Sequence, residues 1–144
     1  MRCNSPKSAV HNVQLAADEA AIAAAIVATE TFADAVGCAG EWRARLLILI
    51  EELVANLVDH GALPAGSAIG LALVLTEDAV RFELADSGHP FDPRGAAPDD
   101  AALPPQEGGG AGLRLLAAWA RIVDYAGADG INRLLVDVPP PESR

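Results

Sequence analysis

Lysine is nearly missing. Lys7 is the single lysine among 144 residues, and no glycine-rich loop surrounds it, which closes the P-loop route to a nucleotide. Cysteine is scarce as well: Cys3 and Cys38 have no metal-ligand spacing, so reduced thiols in a reducing compartment are the default. Basic charge is short overall. Ten basic side chains against 20 acidic ones leave a net charge of −10, which argues against nucleic acid and against an anionic membrane surface as partners. Long apolar runs are missing too. Leu46–Ile50 is far too short to span a membrane and is bracketed by charges, and no continuous apolar region follows Arg2 and Lys7 as a secretory signal requires. These absences predict a soluble protein whose acidic surface leaves basic protein partners open.

What is present is compact. The chain is 51% hydrophobic, but much of that is alanine, so the core rests on fewer Leu, Ile, Val and Phe residues than the figure suggests. Its length suits one domain with a real core. The strongest stretch is Leu46–Gly61, LLILIEELVANLVDHG, with large apolar residues at Leu46, Leu49, Ile50, Leu53 and Leu57 in a helical recurrence. Glu52, Asn56 and His60 stand four apart beside that apolar face, so they line up along one rail of the helix. Polar groups flanked by hydrophobic side chains need something to satisfy them.

In chain order, residues 1–9 read as a flexible lead and Val10–Leu15 as a short strand. Asp18 reads as an N-cap for a helix over Ala20–Val36, ended by Gly37 and Gly40. A second helix runs from about Glu41 to His60, with Gly61 as C′ and Pro64 barring any return to it. Trp42, near its start, reads as a helix-packing residue. Ala68–Leu75 and Ala79–Leu84 form an antiparallel hairpin joined by Thr76, Glu77 and Asp78. Ser87–Gly110 collects most of the turn formers and reads as a lid or binding loop. A third helix runs from Ala111 to about Asp124, Gly127–Gly130 turns the chain, and Asn132–Val138 is a last strand before a loose tail at 139–144. Helices interrupted by antiparallel strands give an α/β two-layer sandwich, a mixed and largely antiparallel sheet with helices on one face, over residues 10–138.

Three constellations carry chemistry, and each has a plain structural reading beside it. On the rail, a glutamate can orient or deprotonate an attacking hydroxyl and an asparagine oxygen can hold magnesium; the alternative is a solvated or interhelical face. Glu51 is about 100° around the helix from Glu52 and is the poorer base, and His60 alone fits a residue that helps the helix dipole. In DSGHPFDP, Asp86 follows a strand and can accept from an exocyclic amine, while Gly88 lets backbone approach a flat ring; the alternative is a self-bonded turn. Asp92 reads as a local cap. Gly108, Gly109, Gly110 and Gly112 open a helix whose free N–H groups can wrap phosphates; the alternative is a flexible linker. Arg114 adds charge to the phosphates or is solvated.

Taken in order, these stretches resemble the boxes of the GHKL ATP-binding superfamily of gyrase, histidine kinases and MutL-type ATPases. Glu52, Asn56 and His60 match E-x-x-x-N-x-x-x-H. Asp86, Gly88 and Phe91 match D-x-G-x-x-F, and GGGAGLRLL matches G-G-x-G-L-x-L through Gly108, Gly109, Gly110, Gly112 and Leu113. The FDP continuation and the ending NRLLVDV look most like the small stand-alone anti-sigma factor serine/threonine kinases. The resemblance implies the Bergerat fold of the GHKL ATPases with ATP and magnesium as cofactors. It implies that Asn56 holds magnesium, that Glu52 is the catalytic general base for a serine hydroxyl, and that Asp86 contacts adenine. Gly88, Phe91, Leu113 and the segment Gly108–Gly112 would enclose base and phosphates. It further implies a STAS-domain anti-anti-sigma protein as substrate, a sigma factor as second partner, a homodimer and a cytoplasmic location. A non-catalytic ATP-binding anti-sigma or adaptor module is the alternative. Where that branch commonly carries an aspartate after the third box, this chain has Arg121, in WARIVDY, a position read as structural.

Overall fold

The computed structural model describes residues 10–95 and 109–142, in the order β1 (Val10–Ala16), α1 (Ala20–Val36), α2 (Gly40–His60), β2 (Ala68–Leu75), β3 (Val80–Asp86), α3 (Gly109–Trp119), β4 (Arg121–Ala128) and β5 (Ile131–Val138). The expected flexible lead at 1–9, the body of the lid at 96–108 with Gly108, and the end of the tail lie outside the described residues. The strands form one sheet in the order β1-β2-β3-β5-β4. Every ladder in it is antiparallel. The two-layer α/β architecture is therefore as expected, with a sheet that is antiparallel throughout the described residues.

Alternation decides which face is covered. In β3, Val80, Phe82 and Leu84 are buried while Arg81, Glu83 and Ala85 are half-buried, and in β2 the buried set is Ile69, Leu71 and Leu73. Successive side chains leave a strand on opposite faces, so these residues line the covered side. Helix α1 packs there on β1 and β2 with Ala21, Ala25, Phe32 and Ala33, and α2 packs with Leu46, Leu49, Ile50 and Val54. Helix α3 packs on α2. The Trp42 indole N–H donates to the Val138 carbonyl at 2.9 Å, which ties the start of α2 to the end of β5.

The ends of the helices show their causes. Asp18 takes the Ala20 N–H on its carboxylate at 2.8 Å, although the residue flanking α1 is Glu19. Gly37 ends α1 in the left-handed conformation at φ 78°, where a Cβ would be strained. Gly61 differs from the expected left-handed terminator. It stays right-handed at φ −80°, and Ala62 takes the left-handed turn instead at φ 53°. Gly61 serves the adjoining loop: its carbonyl accepts the His89 N–H at 2.7 Å.

The main correction concerns the segment after α3. The expected helix to Asp124 stops at Trp119, and Arg121–Ala128 is the strand β4. A short stretch with Ile122, Val123 and Tyr125 is as apolar as a helix turn would be, and periodicity alone does not separate the two. Its strand character comes from pairing with β5 through a two-residue turn at Asp129 and Gly130, both at positive φ, the backbone a tight hairpin demands. The ladder slips once between Ile122 and Asp124, so Val123 forms a bulge. Strand β3 also runs two residues further than expected, which makes Asp86 its last residue.

Candidate functional site

Three elements converge on one cavity of about 290 Å³. Helix α2 presents Leu53, Asn56, Leu57 and His60 to it, α3 presents Leu113, and the sheet presents Leu84, Asp86, Tyr125, Asn132 and Leu134. The loop after β3 closes one side with His89, Phe91 and Pro93. The spacing that put Asn56 and His60 on one rail thus brings both to the cavity. Its lining is mostly apolar, which suits a flat ring.

Asp86 supplies a buried charge at the sheet end. It is 7% exposed, and its Oδ1 accepts the Gly88 N–H at 2.8 Å and the Asn132 Nδ2 at 3.1 Å. Asn132 Nδ2 also donates to the Gly88 carbonyl at 3.0 Å. One amide therefore fixes both the carboxylate and the turn beyond it. A Cβ on Gly88 would lie 2.2 Å from the Gly61 carbonyl oxygen and 2.8 Å from Leu63 Cδ2. The close approach that requires glycine here is to the chain's own backbone at the end of α2. Further along, the Phe91 N–H donates to Tyr125 Oη at 3.0 Å. Arg94 grips Asp92 and reaches the Tyr125 carbonyl at 3.5 Å. That hydrogen-bonded guanidinium holds the Asp92 carboxyl below the usual carboxylate range, so Asp92 is a local clamp on the loop.

Glu52 is half-buried and does not line the cavity; it lies one turn from Asn56, which does. Among the described residues neither side chain has a hydrogen-bond partner. Gly112 of α3 rests directly on them: a Cβ there would lie 3.2 Å from Glu52 Cβ and 3.5 Å from Asn56 Nδ2. Any larger residue would enter the space the two polar groups face. Gly109 and Gly110 form the first turn of α3, not a linker ahead of it. Free backbone N–H groups in a first helical turn are donors for an anion.

The structure thus brings Asn56, Asp86, Phe91 and Leu113 to one cavity. Glu52, Gly88 and Gly112 are not among its lining residues: Gly112 lies against Glu52 and Asn56, and Gly88 against Gly61, while Gly109 and Gly110 belong to the helix that carries Leu113. Sequence reasoning missed Tyr125 and Asn132. Asn132 had a signal: it is the polar member of the alternation Asn132, Leu134, Val136, Val138, whose other members face the core.

An apolar cleft between two helices and an antiparallel sheet, with the buried Asp86 carboxylate and the Asn56 amide among its lining groups, is consistent with a nucleotide-binding class of domain. Residues 6–136 match the histidine kinase-like ATPase domain, and the chain belongs to that family, an ATP-binding domain of the GHKL type. No curated protein matches the chain. Among the described residues no helix is long and apolar enough to cross a membrane.

The side chains fit what the family binds. The Asn56 side chain has no hydrogen-bond partner among the described residues and lines an apolar cleft, and an amide oxygen is a suitable ligand for magnesium. Among the described residues no cluster of three His, Cys, Asp or Glu side chains is arranged to hold a metal. An ion at Asn56 would therefore draw most of its ligands from phosphate and water, as magnesium commonly does.

Proposed function

We propose that the chain is an ATP- and magnesium-dependent protein serine kinase that also works as an anti-sigma factor, with a serine of a small STAS-domain antagonist as its target. The observation that supports this reading is the Glu52–Asn56 pair, half-buried, without hydrogen-bond partners among the described residues, and bordered by glycine at the start of α3.

Asp86 accepts from the exocyclic amine of adenine, with Asn132 holding its other contacts fixed. Leu53, Leu57 and Leu113 wall the base. Asn56 would hold magnesium through its amide oxygen, and the ion would supply positive charge against the phosphates. The N–H groups of Gly109 and Gly110 in the first turn of α3 stabilise negative charge on the phosphates. Glu52 takes the proton of the serine hydroxyl as that oxygen bonds to the γ-phosphorus and the bond to ADP breaks, ADP leaving with the electron pair. Sigma-factor binding, a homodimer and a cytoplasmic location belong to the same proposal.

The test is phosphoryl transfer from labelled ATP to a purified STAS-domain antagonist, run beside calorimetry of ATP binding. Wild type is expected to label the partner on serine. Glu52→Gln should keep ATP affinity while transfer falls by about 10²–10⁴-fold, the range for loss of a general base. Transfer at the wild-type rate in Glu52→Gln would remove Glu52 from that role. ATP binding without any labelled partner in wild type would favour a non-catalytic ATP-binding anti-sigma or adaptor module.

A further inference from the structure

Tyr125 is the single tyrosine of the chain, and it lines the cavity. It lies on the edge strand β4 opposite Leu134 of β5, which lines the same cavity. Its hydroxyl oxygen accepts the Phe91 N–H at 3.0 Å. A phenol oxygen that accepts one bond still has its own proton to donate. Among the described residues no acceptor takes that proton.

A second half-used group stands close by. Asn132 gives its amide hydrogens to Asp86 Oδ1 and the Gly88 carbonyl, which leaves its own Oδ1 as an acceptor. That oxygen lies 3.1 Å from the point a Cβ on Gly127 would occupy, and Tyr125 Oη lies 4.0 Å from the same point. Asp86 and Asn132 therefore bring acceptors to the cavity and Tyr125 a donor whose oxygen is anchored on Phe91; Asn56, His60 and His89 line it as well, without an anchoring hydrogen bond of that kind among the described residues. A carboxylate can recognise an amine, but the ring nitrogens of a purine are acceptors and need a donor. Of Asp86, Asn132 and Tyr125, only the tyrosine has a proton left to give.

We propose that Tyr125 is a base-reading residue, its O–H donating to a ring nitrogen of the nucleotide's purine while its oxygen keeps hold of Phe91. This rests on the adenine-nucleotide reading of the cavity. The Phe91 bond matters because it restricts the phenol's position, so the proton is offered from a fixed place.

The experiment is calorimetric titration of ATP and its 1-deaza, 3-deaza and 7-deaza analogues into wild type and Tyr125→Phe. Each analogue replaces one ring nitrogen by C–H and so removes one acceptor. One analogue is expected to bind wild type roughly tenfold more weakly than ATP, the worth of one hydrogen bond. Tyr125→Phe should bind ATP weakly by a similar factor and lose nothing further with that analogue. Equal binding of ATP and all three analogues to wild type overturns the proposal, and this arm does not depend on the variant folding. So does a uniform loss across ATP and every analogue in Tyr125→Phe, which would leave the hydroxyl as an anchor for Phe91 alone. Failure of wild type to bind ATP at all overturns the nucleotide reading itself, so the two failures are distinct.

Discussion

Asn132 holds two things at once, the Asp86 carboxylate and the Gly88 carbonyl, through a single nitrogen that is 5% exposed as a residue. Asn132→Ala removes both bonds and leaves a buried carboxylate with only the Gly88 N–H. An unsatisfied buried polar group costs about 1–3 kcal/mol, so the urea midpoint should fall accordingly and ATP affinity should fall with it. An unchanged midpoint would mean that Asp86 is held by something else. Cys38 gives an independent check at the same scale. It is 1% exposed, and burial pushes its thiol pKa up, more than nearby Arg43 lowers it. A buried thiol of raised pKa has little thiolate and is inert. In a Cys3→Ser background, Cys38 should resist iodoacetamide at pH 8 while the chain is folded and react fully in denaturant. Rapid alkylation of the folded chain would show that the packing around the start of α2 opens.

The elements meet at glycines, and the reason differs between the two contacts. At Gly88 the obstacle is the Gly61 carbonyl, which belongs to backbone and has no rotamer to change. Gly88→Ala should therefore cost about 1–3 kcal/mol, as overpacking does, and hydrogen exchange at the His89 amide should speed up as the loop leaves α2. At Gly112 the obstacle is the Glu52 side chain. Gly112→Val should leave a folded domain that binds ATP poorly, since the larger side chain displaces Glu52 and Asn56 before it disrupts the core; retained ATP affinity would place the nucleotide elsewhere. What the sequence revealed follows the same division between local and distant causes. Helix α1 and the hairpin of β2 and β3 were legible because their ends are written in nearby residues, Gly37 for the helix and Thr76 for the turn, whose Oγ1 accepts the Ala79 N–H at 3.0 Å. Glu52, Asn56 and Gly112 were legible because helical spacing and glycine clusters are local patterns. Strand β4 was not, because its type is decided by pairing with β5. Tyr125 was lost with it. Asn132 lies in the last strand, which was legible, but the register that sets it opposite Asp86 joins residues 46 apart in the chain.

Across the whole molecule, the ladder of β3 and β5 has a polar anchor at each end. Asp86 pairs with Asn132 at the cavity end, and Arg81 pairs with Asp137 at the other. Asp137 is 5% exposed and receives Arg81 through two bonds, at 2.7 and 2.9 Å. Arg121 of β4 adds a third at 3.0 Å, so one carboxylate links three neighbouring strands. This gives Arg121, which stands where the resemblance leads to an aspartate, a structural use in this chain. The two arginines contribute unequally. Arg121 is 71% exposed in its side chain, and exposed ion pairs are worth about 0–1 kcal/mol. Arg81 makes a bidentate contact, the stronger geometry. Asp137→Ala should lower stability by about 1–3 kcal/mol, the range for lost hydrogen bonds to charged groups, and the melting temperature by roughly 5–10 °C. Arg121→Ala should lower it by only a small fraction of that. ATP affinity should stay at the wild-type level in both, because Asp137 lies at the opposite end of its ladder from the cavity. A melting curve for Asp137→Ala that overlays wild type would show that the carboxylate does not hold the strands together. A stable variant that loses ATP would show that the two ends of the ladder are coupled.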